Sequence, residues 1–188
     1  MRRLIYNLIS VIFTFFKFIV LKMIKPNKFY YRGIQRFSPN TEVIITKNGV
    51  LKLGERIRAH RRTKITVSEN GILEIGDNVS MGNGVSIYCF EKIRIGKNTG
   101  LGQDSKIYDH DHDFRAKGGY SSNKFLTSEV IIGENTWIGS NVVILRGTRI
   151  GNNCVVASGC VLKGEYPDNS IIIQKRDTQV ISYEYIST

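Results

Sequence analysis

Aliphatic residues recur at every sixth position along the second half of the chain. The longest run keeps this period over thirty residues and comprises Ile132, Ile138, Ile144, Ile150, Val156 and Leu162. Shorter runs with the same period begin at Ile75 and at Ile95, and glycine often follows the aliphatic residue directly. A helix repeats about every 3.6 residues and a strand every two. A period of six therefore predicts a coil of short strands joined by tight corners.

Such a coil predicts an all-β fold, a parallel β-helix of hexapeptide repeats. Each hexapeptide forms one flat side and points one aliphatic residue to the axis, and stacked turns pair as parallel sheets. We expect this domain to span residues 42–166. Residues 42–74 hold the period less clearly, but β-branched residues alternate there with Asn-Gly corners, which predicts earlier and less regular coils.

Two segments lack the period. Residues 113–129 interrupt the repeat between two regular blocks and are predicted to loop out. Long loops that leave a rigid scaffold are often functional. Residues 167–188 leave the repeat at Pro167 and are predicted to form a cap over the last coil.

The first 25 residues form a separate, strongly apolar element. Its polar residues recur at steps of four and three, which places them on one stripe of a helix: Arg3, Asn7, Ser10, Thr14 and Lys17. This amphipathic helix could lie at a membrane interface or pack on its own domain or on a partner subunit. A membrane-spanning role is disfavoured, because Lys17 would be costly at depth. Residues 26–41 are predicted to be a basic, aromatic hinge.

Charge and cysteine content narrow the class of protein. The formal net charge of +11 favours anionic partners. The chain has neither zinc-finger spacing nor an aromatic-basic RNA motif, so nucleic acid is not an expected partner. Three cysteines without a C-x-x-C pair argue against a disulfide framework and favour a reducing, cytoplasmic compartment.

The densest chemistry lies in residues 107–114, which read IYDHDHDF. Histidine titrates near neutral pH and suits proton transfer. A carboxylate should hold the second ring nitrogen of a catalytic imidazole, and Asp109 and Asp113 are both candidates. Zinc needs three convergent ligands. The third histidine of the chain is His60, which lies in a distant basic cluster, so no metal site is predicted.

Two stretches carry a family resemblance: IGKNTGLGQDSKIYDHDHDF and SEVIIGENTWIGSNVVIL. They resemble the hexapeptide-repeat acyltransferases, most closely the capsule, colanic-acid and O-antigen O-acetyltransferases and the maltose and galactoside O-acetyltransferases. The resemblance implies a left-handed β-helix, acetyl-CoA as the acyl donor, and a homotrimer with active sites between subunits.

The same resemblance assigns roles by register. His112 falls at the position of the general base, and His110 and Asp113 are its catalytic neighbours. Expected acceptor contacts are Trp137, Asp109 and Asn83, which lies beside Gly82 at the position where the sugar O-acetyltransferases often have a contacting Asn. Expected contacts to coenzyme A are Gly139, Ser140, Ala157 and Lys163, and a backbone N–H of the Gly139–Ser140 corner is a candidate donor to the oxyanion.

The resulting prediction is an acetyl-CoA-dependent O-acetyltransferase that modifies a sugar hydroxyl of a bacterial surface polysaccharide or its precursor. We expect a cytoplasmic protein, peripheral at the inner face of the membrane if residues 1–25 bind lipid. Two alternatives remain open. One is an N-acetyltransferase that acts on an amino sugar with the same fold, and the other is a non-catalytic β-helix scaffold.

Overall fold

The structure, a computed structural model, describes residues 2–175 and 180–182, with side chains from residue 4 onward. Helix α1 (Arg2–Ile24) comes first, and short strands follow, numbered here in chain order. The chain winds around three parallel sheets, called A, B and C, visited in that order on each turn. The predicted parallel β-helix is confirmed.

The strands of the three sheets stack in chain order. Sheet A contains β1 (Phe29–Tyr31), β4 (Val50–Leu53), β7 (Ile72–Ile75), β10 (Lys92–Ile95), β15 (Val130–Ile132), β18 (Arg149–Ile150) and β21 (Glu165–Tyr166). Sheet B contains β2 (Arg36–Phe37), β5 (Arg58–Ala59), β8 (Ser80–Met81), β11 (Gly100–Leu101), β16 (Trp137–Ile138), β19 (Val155–Val156) and β22 (Ile171–Ile172). Sheet C contains β3 (Glu42–Ile45), β6 (Lys64–Val67), β9 (Ser86–Cys89), β12 (Lys106–Tyr108), β17 (Val143–Ile144) and β20 (Val161–Leu162).

The length of a turn changes along the chain. Val43 pairs with Ile65, twenty-two positions later, whereas Ile131 pairs with Arg149, eighteen positions later. The early coils therefore have longer sides, which explains why the six-residue phase is weak before residue 75. All six aliphatic residues of the long run are buried along the axis. Burial of each such side chain contributes about 1.5–3 kcal/mol.

The corner between sheets A and B is built from a ladder of asparagines. Each has a left-handed backbone, with φ between +54° and +60°, a conformation that asparagine tolerates better than most residues. Each side-chain amide donates to the next at 2.9–3.2 Å, and the ladder comprises Asn78, Asn98, Asn135, Asn153 and Asn169. The glycines beside it pack backbone on backbone. A Cβ atom on Gly133 would stand 2.4 Å from the carbonyl oxygen of Gly151.

The coils extend beyond the predicted boundaries. Residues 26–41, predicted as a hinge, instead contain β1 and β2, which pair with β4 and β5. Their aromatic residues fill the open end of the coil: the rings of Phe29 and Phe37 lie 4.9 and 5.0 Å from that of Phe18 in α1. At the other end β22 still pairs with β19, inside the predicted cap. Residues 176–179 and 183–188 of that cap lie outside the described residues.

Helix α1 packs on its own domain, across the end of the first coil. Its polar stripe faces inward. The Thr14 hydroxyl accepts a hydrogen bond of 2.8 Å from the N–H of Phe37, and the Lys17 ammonium donates to the carbonyl of Thr41 at 2.6 Å. Packing on its own domain was one of the predicted alternatives, and the stripe is what makes this contact.

Candidate active site

The histidine pair lies where the chain leaves sheet C. After β12 the chain forms a two-stranded antiparallel ribbon, β13 (His110–His112) with β14 (Phe125–Thr127), and His112 pairs with Phe125. The ribbon and the connection between its strands, which includes a 3-10 turn at Gly119–Ser122, stand at the corner between sheets C and A. The chain therefore leaves the coil at His110, before the loop predicted at residues 113–129, and His110 and His112 form the first strand of the ribbon.

Asp109 anchors the base of the ribbon. It is fully buried, and its carboxylate accepts hydrogen bonds of 2.8 Å from the N–H groups of Phe90 and Glu91. Nδ1 of His110 lies 3.1 Å from the same carboxylate. Burial alone would raise the pKa of Asp109, but the hydrogen bonds from His110 and from the two N–H groups outweigh it and hold that pKa below its usual range. An ionised Asp109 can only accept, so Nδ1 of His110 is the donor, and in the neutral tautomer of that ring Nε2 carries the lone pair.

Aromatic rings fix the plane of the His110 imidazole. It stacks on Phe90 with centroids 3.7 Å apart and planes 7° apart, and Phe125 meets it edge-on at 5.5 Å. Only 12% of the His110 side chain is exposed. A ring held by a carboxylate on one nitrogen and by stacking on one face has little freedom to reorient.

His112 has a different environment. Its ring lies 4.4 Å from Tyr120 and 4.7 Å from Phe125, centroid to centroid. Its Nδ1 atom is buried and has no hydrogen-bond partner among the described residues. An unpaired buried polar atom costs about 1–3 kcal/mol, and such costs are often found at functional sites.

The predicted acidic residues separate into different roles. The Asp113 carboxylate accepts from the N–H of Arg115 at 3.1 Å and so closes a local turn, and Asp111 pairs with Arg146 at 2.6 Å. Asp109, predicted to contact an acceptor, is instead fully buried and holds His110. The candidate orienting carboxylate is therefore Asp109, and the imidazole it contacts is that of His110.

Trp137 and Asn83 come together on sheet B. Trp137 is 63% exposed on β16, and both residues line an open cavity of ≈ 310 Å³ together with His60 and Gln103. This cavity lies on a different face of the coil from the histidine ribbon. Two of the predicted acceptor contacts thus share one surface, but within one chain that surface does not include the imidazoles.

The predicted coenzyme contacts divide between two corners. Gly139, Ser140 and Ala157 follow β16 and β19 at the corner between sheets B and C. Lys163 follows β20 at the corner between sheets C and A, on the same edge as the histidine ribbon. The N–H groups of Gly139 and Ser140 are already bonded, to the carbonyl of Val156 at 2.9 Å and to the hydroxyl of Ser158 at 3.2 Å. As folded, neither is free to serve as the expected oxyanion donor.

Sequence reasoning missed the aromatic surround of the imidazoles, formed by Phe90, Tyr120 and Phe125. One signal was present for Phe90. Tyr88 pairs with Tyr108, twenty positions later, and the same offset places Phe90 against His110. The contacts made by Tyr120 and Phe125 depend on the fold of the loop, for which the repeat carries no register.

Metal chemistry has no candidate centre in the part of the chain that the structure describes. No group of three His, Cys, Asp or Glu side chains that could hold an ion is found there. Cys89, Cys154 and Cys160 are buried and unpaired. Burial, with the Asp109 carboxylate nearby, raises the pKa of the Cys89 thiol, so it is not a thiolate ligand or nucleophile.

A family comparison identifies the class of repeat. Residues 129–164 match the family model described as bacterial transferase hexapeptide (six repeats). The match coincides with the long aliphatic run and with the last regular coils. These repeats fit a left-handed parallel β-helix, so the predicted fold class and the predicted resemblance to hexapeptide-repeat proteins are confirmed.

Solved structures with the same fold include acyltransferases. AntD, an N-acyltransferase from Bacillus cereus, is 19% identical with a TM-score of 0.63, over 80% of this chain and 82% of that chain. PerB from Caulobacter crescentus is 19% identical with a TM-score of 0.52, over 73% and 52%. A hexapeptide-repeat-containing acetyltransferase of Vibrio cholerae O1 biovar eltor is 19% identical with a TM-score of 0.51, over 79% and 68%. At these identities the likeness establishes the fold alone. No curated protein sequence matches the chain.

The ligands of these relatives are known. The AntD structure contains dTDP and coenzyme A, the PerB structure contains coenzyme A and GDP-perosamine, and the Vibrio protein was solved with acetyl coenzyme A.

Proposed function

We propose that this protein is an acetyl-CoA-dependent O-acetyltransferase that acetylates a hydroxyl of a sugar in a bacterial surface polysaccharide or its precursor. The observation that carries the proposal is the pair of imidazoles on the ribbon, one of them held by a buried carboxylate. An alcohol is a weak nucleophile at neutral pH, so its acylation needs a positioned base. The hexapeptide repeats and the coenzyme A bound to proteins of the same fold support acetyl-CoA as the donor.

In this mechanism His112 removes the proton of the acceptor hydroxyl as its oxygen attacks the thioester carbonyl. The attack forms a tetrahedral oxyanion, whose collapse expels the coenzyme A thiolate, and the imidazolium returns its proton to that thiolate. No covalent intermediate on the protein is needed. The Asp109–His110 pair keeps the ribbon and its aromatic surround in place beside the base.

We further propose that the working form is a homotrimer with sites between subunits. Within one chain the proposed coenzyme contacts lie on two edges of sheet C, and Trp137 lies on sheet B. A neighbouring copy could bring the B–C corner of one chain against the ribbon of the next.

An N-acyltransferase that acts on a nucleotide-linked amino sugar is the second candidate. Its support is the structural likeness to AntD and PerB, whose structures contain such nucleotides. A neutral amine attacks a thioester without full deprotonation, so this reaction depends less on a strong base.

The test measures release of coenzyme A thiol from acetyl-CoA with two panels of acceptors. One panel contains acceptors that have only hydroxyl groups, namely glycans and lipid-linked saccharides. The other contains nucleotide-linked amino sugars. The variants are His112→Ala and His110→Ala. Lys97→Ala, at an exposed corner away from the ribbon, is the control.

We expect hydroxyl acceptors to stimulate release and His112→Ala to lower kcat by about 10²–10⁴-fold, the usual contribution of a general base. His110→Ala should keep a larger part of the activity. If only His110→Ala lowers kcat, the general base is His110, whose ring is held by Asp109. Stimulation by amino sugars alone would establish the N-acyl reaction. Absence of both thiol release and acetyl-CoA binding would favour the scaffold.

A further inference from the structure

Helix α1 exposes the surface that an amphipathic helix on a soluble domain usually buries. Its polar stripe contacts the first coil, where Ser10 and Thr14 are almost fully buried. The opposite surface, called here the apolar face, is exposed and comprises Leu4, Ile5, Leu8, Ile9, Ile12, Phe13, Phe15, Phe16, Ile19, Val20, Met23 and Ile24. Contiguous exposed apolar surface of this kind marks an interaction site.

The apolar face continues into the body of the protein. A cavity of ≈ 490 Å³ opens between α1 and residues 31–35, and Ile12, Phe15 and Phe16 line it on the helix side. Ile34 lines the other side and is 71% exposed. The apolar surface therefore includes a recess large enough for part of an acyl chain.

The positive charge of the protein is concentrated at the same end. Residues 1–62 contain fourteen Lys and Arg against two Asp and Glu, while residues 63–188 contain thirteen against fourteen. The first 41 residues contain eight basic residues and no acidic one. Because β1, β2 and β3 are the terminal strands of their sheets, these residues form α1 and the adjoining coils. The excess charge thus lies on α1 and the first coils, and the rest of the chain is nearly neutral overall.

Two explanations of the exposed apolar face fit the structure poorly: a membrane-spanning helix and a contact with a second copy of the chain. By length and composition Leu4–Ile24 could cross a membrane. A spanning helix, however, would lose the bonds of Thr14 to Phe37 and of Lys17 to Thr41, and would carry the ammonium into hydrocarbon. A second copy docked face to face would bring two strongly basic ends together, which like-charge repulsion opposes.

We propose that α1 and the basic first coils form an interfacial anchor for an anionic membrane. The helix lies in the plane of the membrane surface, its apolar face and recess meet the acyl chains, and the surrounding lysines and arginines meet acidic headgroups. The polar stripe stays on the coil, so the β-helix stands on the membrane by its first turn. This inference does not depend on which reaction the protein catalyses.

The test is flotation of the full chain with vesicles of phosphatidylcholine alone and of phosphatidylcholine with about 30% phosphatidylglycerol. Ile12→Ser with Phe16→Ser removes apolar surface from the face. The matched control is Ile171→Ser with Ile173→Ser, because these isoleucines are at least as exposed as Ile12 and Phe16 but lie on the last described coil. A second pair of double variants tests the charge. One carries Lys25→Gln and Lys28→Gln, and its control carries Lys97→Gln and Lys175→Gln. Thermal unfolding of every variant verifies that it is folded.

We expect the wild type to float with anionic vesicles, to bind neutral ones at least about tenfold more weakly, and to lose affinity in about 0.5 M salt. The helix variant should lose binding about tenfold or more, and the Ile171 and Ile173 control should not. The Lys25 and Lys28 variant should bind more weakly than its control. Failure of the wild type to bind anionic vesicles would overturn the proposal. A folded helix variant that binds vesicles like the wild type would also overturn it. If the helix variant changes only the oligomeric state in gel filtration, the proposal is likewise overturned, and the apolar face belongs to a contact with a second copy.

Discussion

At the scale of single residues, Asp109 determines how the ribbon leaves the coil. Its two carboxylate oxygens accept from two successive backbone N–H groups and from His110, all at a fully buried position. A buried charge is tolerated only when it is fully hydrogen-bonded. These bonds therefore couple the stability of the corner to the orientation of an imidazole.

Asp109→Asn is expected to lower the free energy of unfolding at pH 7 by about 2 kcal/mol, because an amide N–H₂ would face an N–H donor. The pKa of Asp109 is lowered in the folded state, so its stabilising contribution is complete above the unfolded pKa of about 3.9 and is lost as pH falls through the lower folded value. Urea unfolding at pH 7 and below about pH 4 measures both effects. The difference between variant and wild type should shrink in acid.

Asp111→Asn is the matched control, since Asp111 is half exposed and pairs with Arg146 at the surface. Its effect should stay below about 1 kcal/mol. Equal losses for the two variants would contradict the role given to Asp109.

Residue identities in the site were predicted better than their contacts. The motif IYDHDHDF indicated imidazoles beside carboxylates, but two acids remained candidates for the orienting role. The structure assigns Asp109 to His110 and uses Asp113 to close a turn. Alternation along a strand could not decide this, because β13 begins only at His110 and Asp109 turns inward before it.

At the scale of elements, the asparagine ladder is the device that turns the chain from sheet A to sheet B. Its backbone is left-handed at every step, a conformation that costs an ordinary L-residue about 1–2 kcal/mol. Asparagine lowers this cost and adds amide bonds between successive coils.

Replacement of Asn135 separates the two contributions. Asn135→Ala and Asn135→Gly both remove the amide bonds, but only alanine is strained at φ +54°. The free energy of unfolding of Asn135→Ala, measured in urea, should therefore be lower than that of Asn135→Gly by about 1 kcal/mol. Equal stability of the two variants would mean that the amide bonds, not the backbone, make asparagine necessary here.

For helix α1, the sequence predicted the two faces but not which of them packs on the domain. Its period predicted a polar stripe and an apolar face, and both are present. Which of them meets the domain depends on the end of the coil, where backbone groups of Phe37 and Thr41 need partners.

At the scale of the whole molecule, the proposed trimer makes a prediction about mixed subunits. His112→Ala and Ser140→Trp should each be inactive, because one removes the base and the other blocks the B–C corner. If the site combines the ribbon of one chain with that corner of another, unfolding and refolding the two inactive variants together should restore part of the activity. Refolding each variant alone should restore none.

The outcome separates two arrangements. Recovered activity, together with a trimeric mass in light scattering, would support sites between subunits. A monomeric mass, or a mixture that stays inactive while remaining trimeric, would contradict them.

The sequence by itself determined the repeat, the parallel coil and the buried aliphatic axis, because one inward position in every six must be apolar for stacked turns to exclude water. The tertiary structure alone decided which carboxylate holds which imidazole, which face of α1 is exposed, and how the proposed coenzyme contacts divide between corners. Those outcomes depend on contacts between residues about twenty or more positions apart, across corners and a loop where the period carries no information about direction.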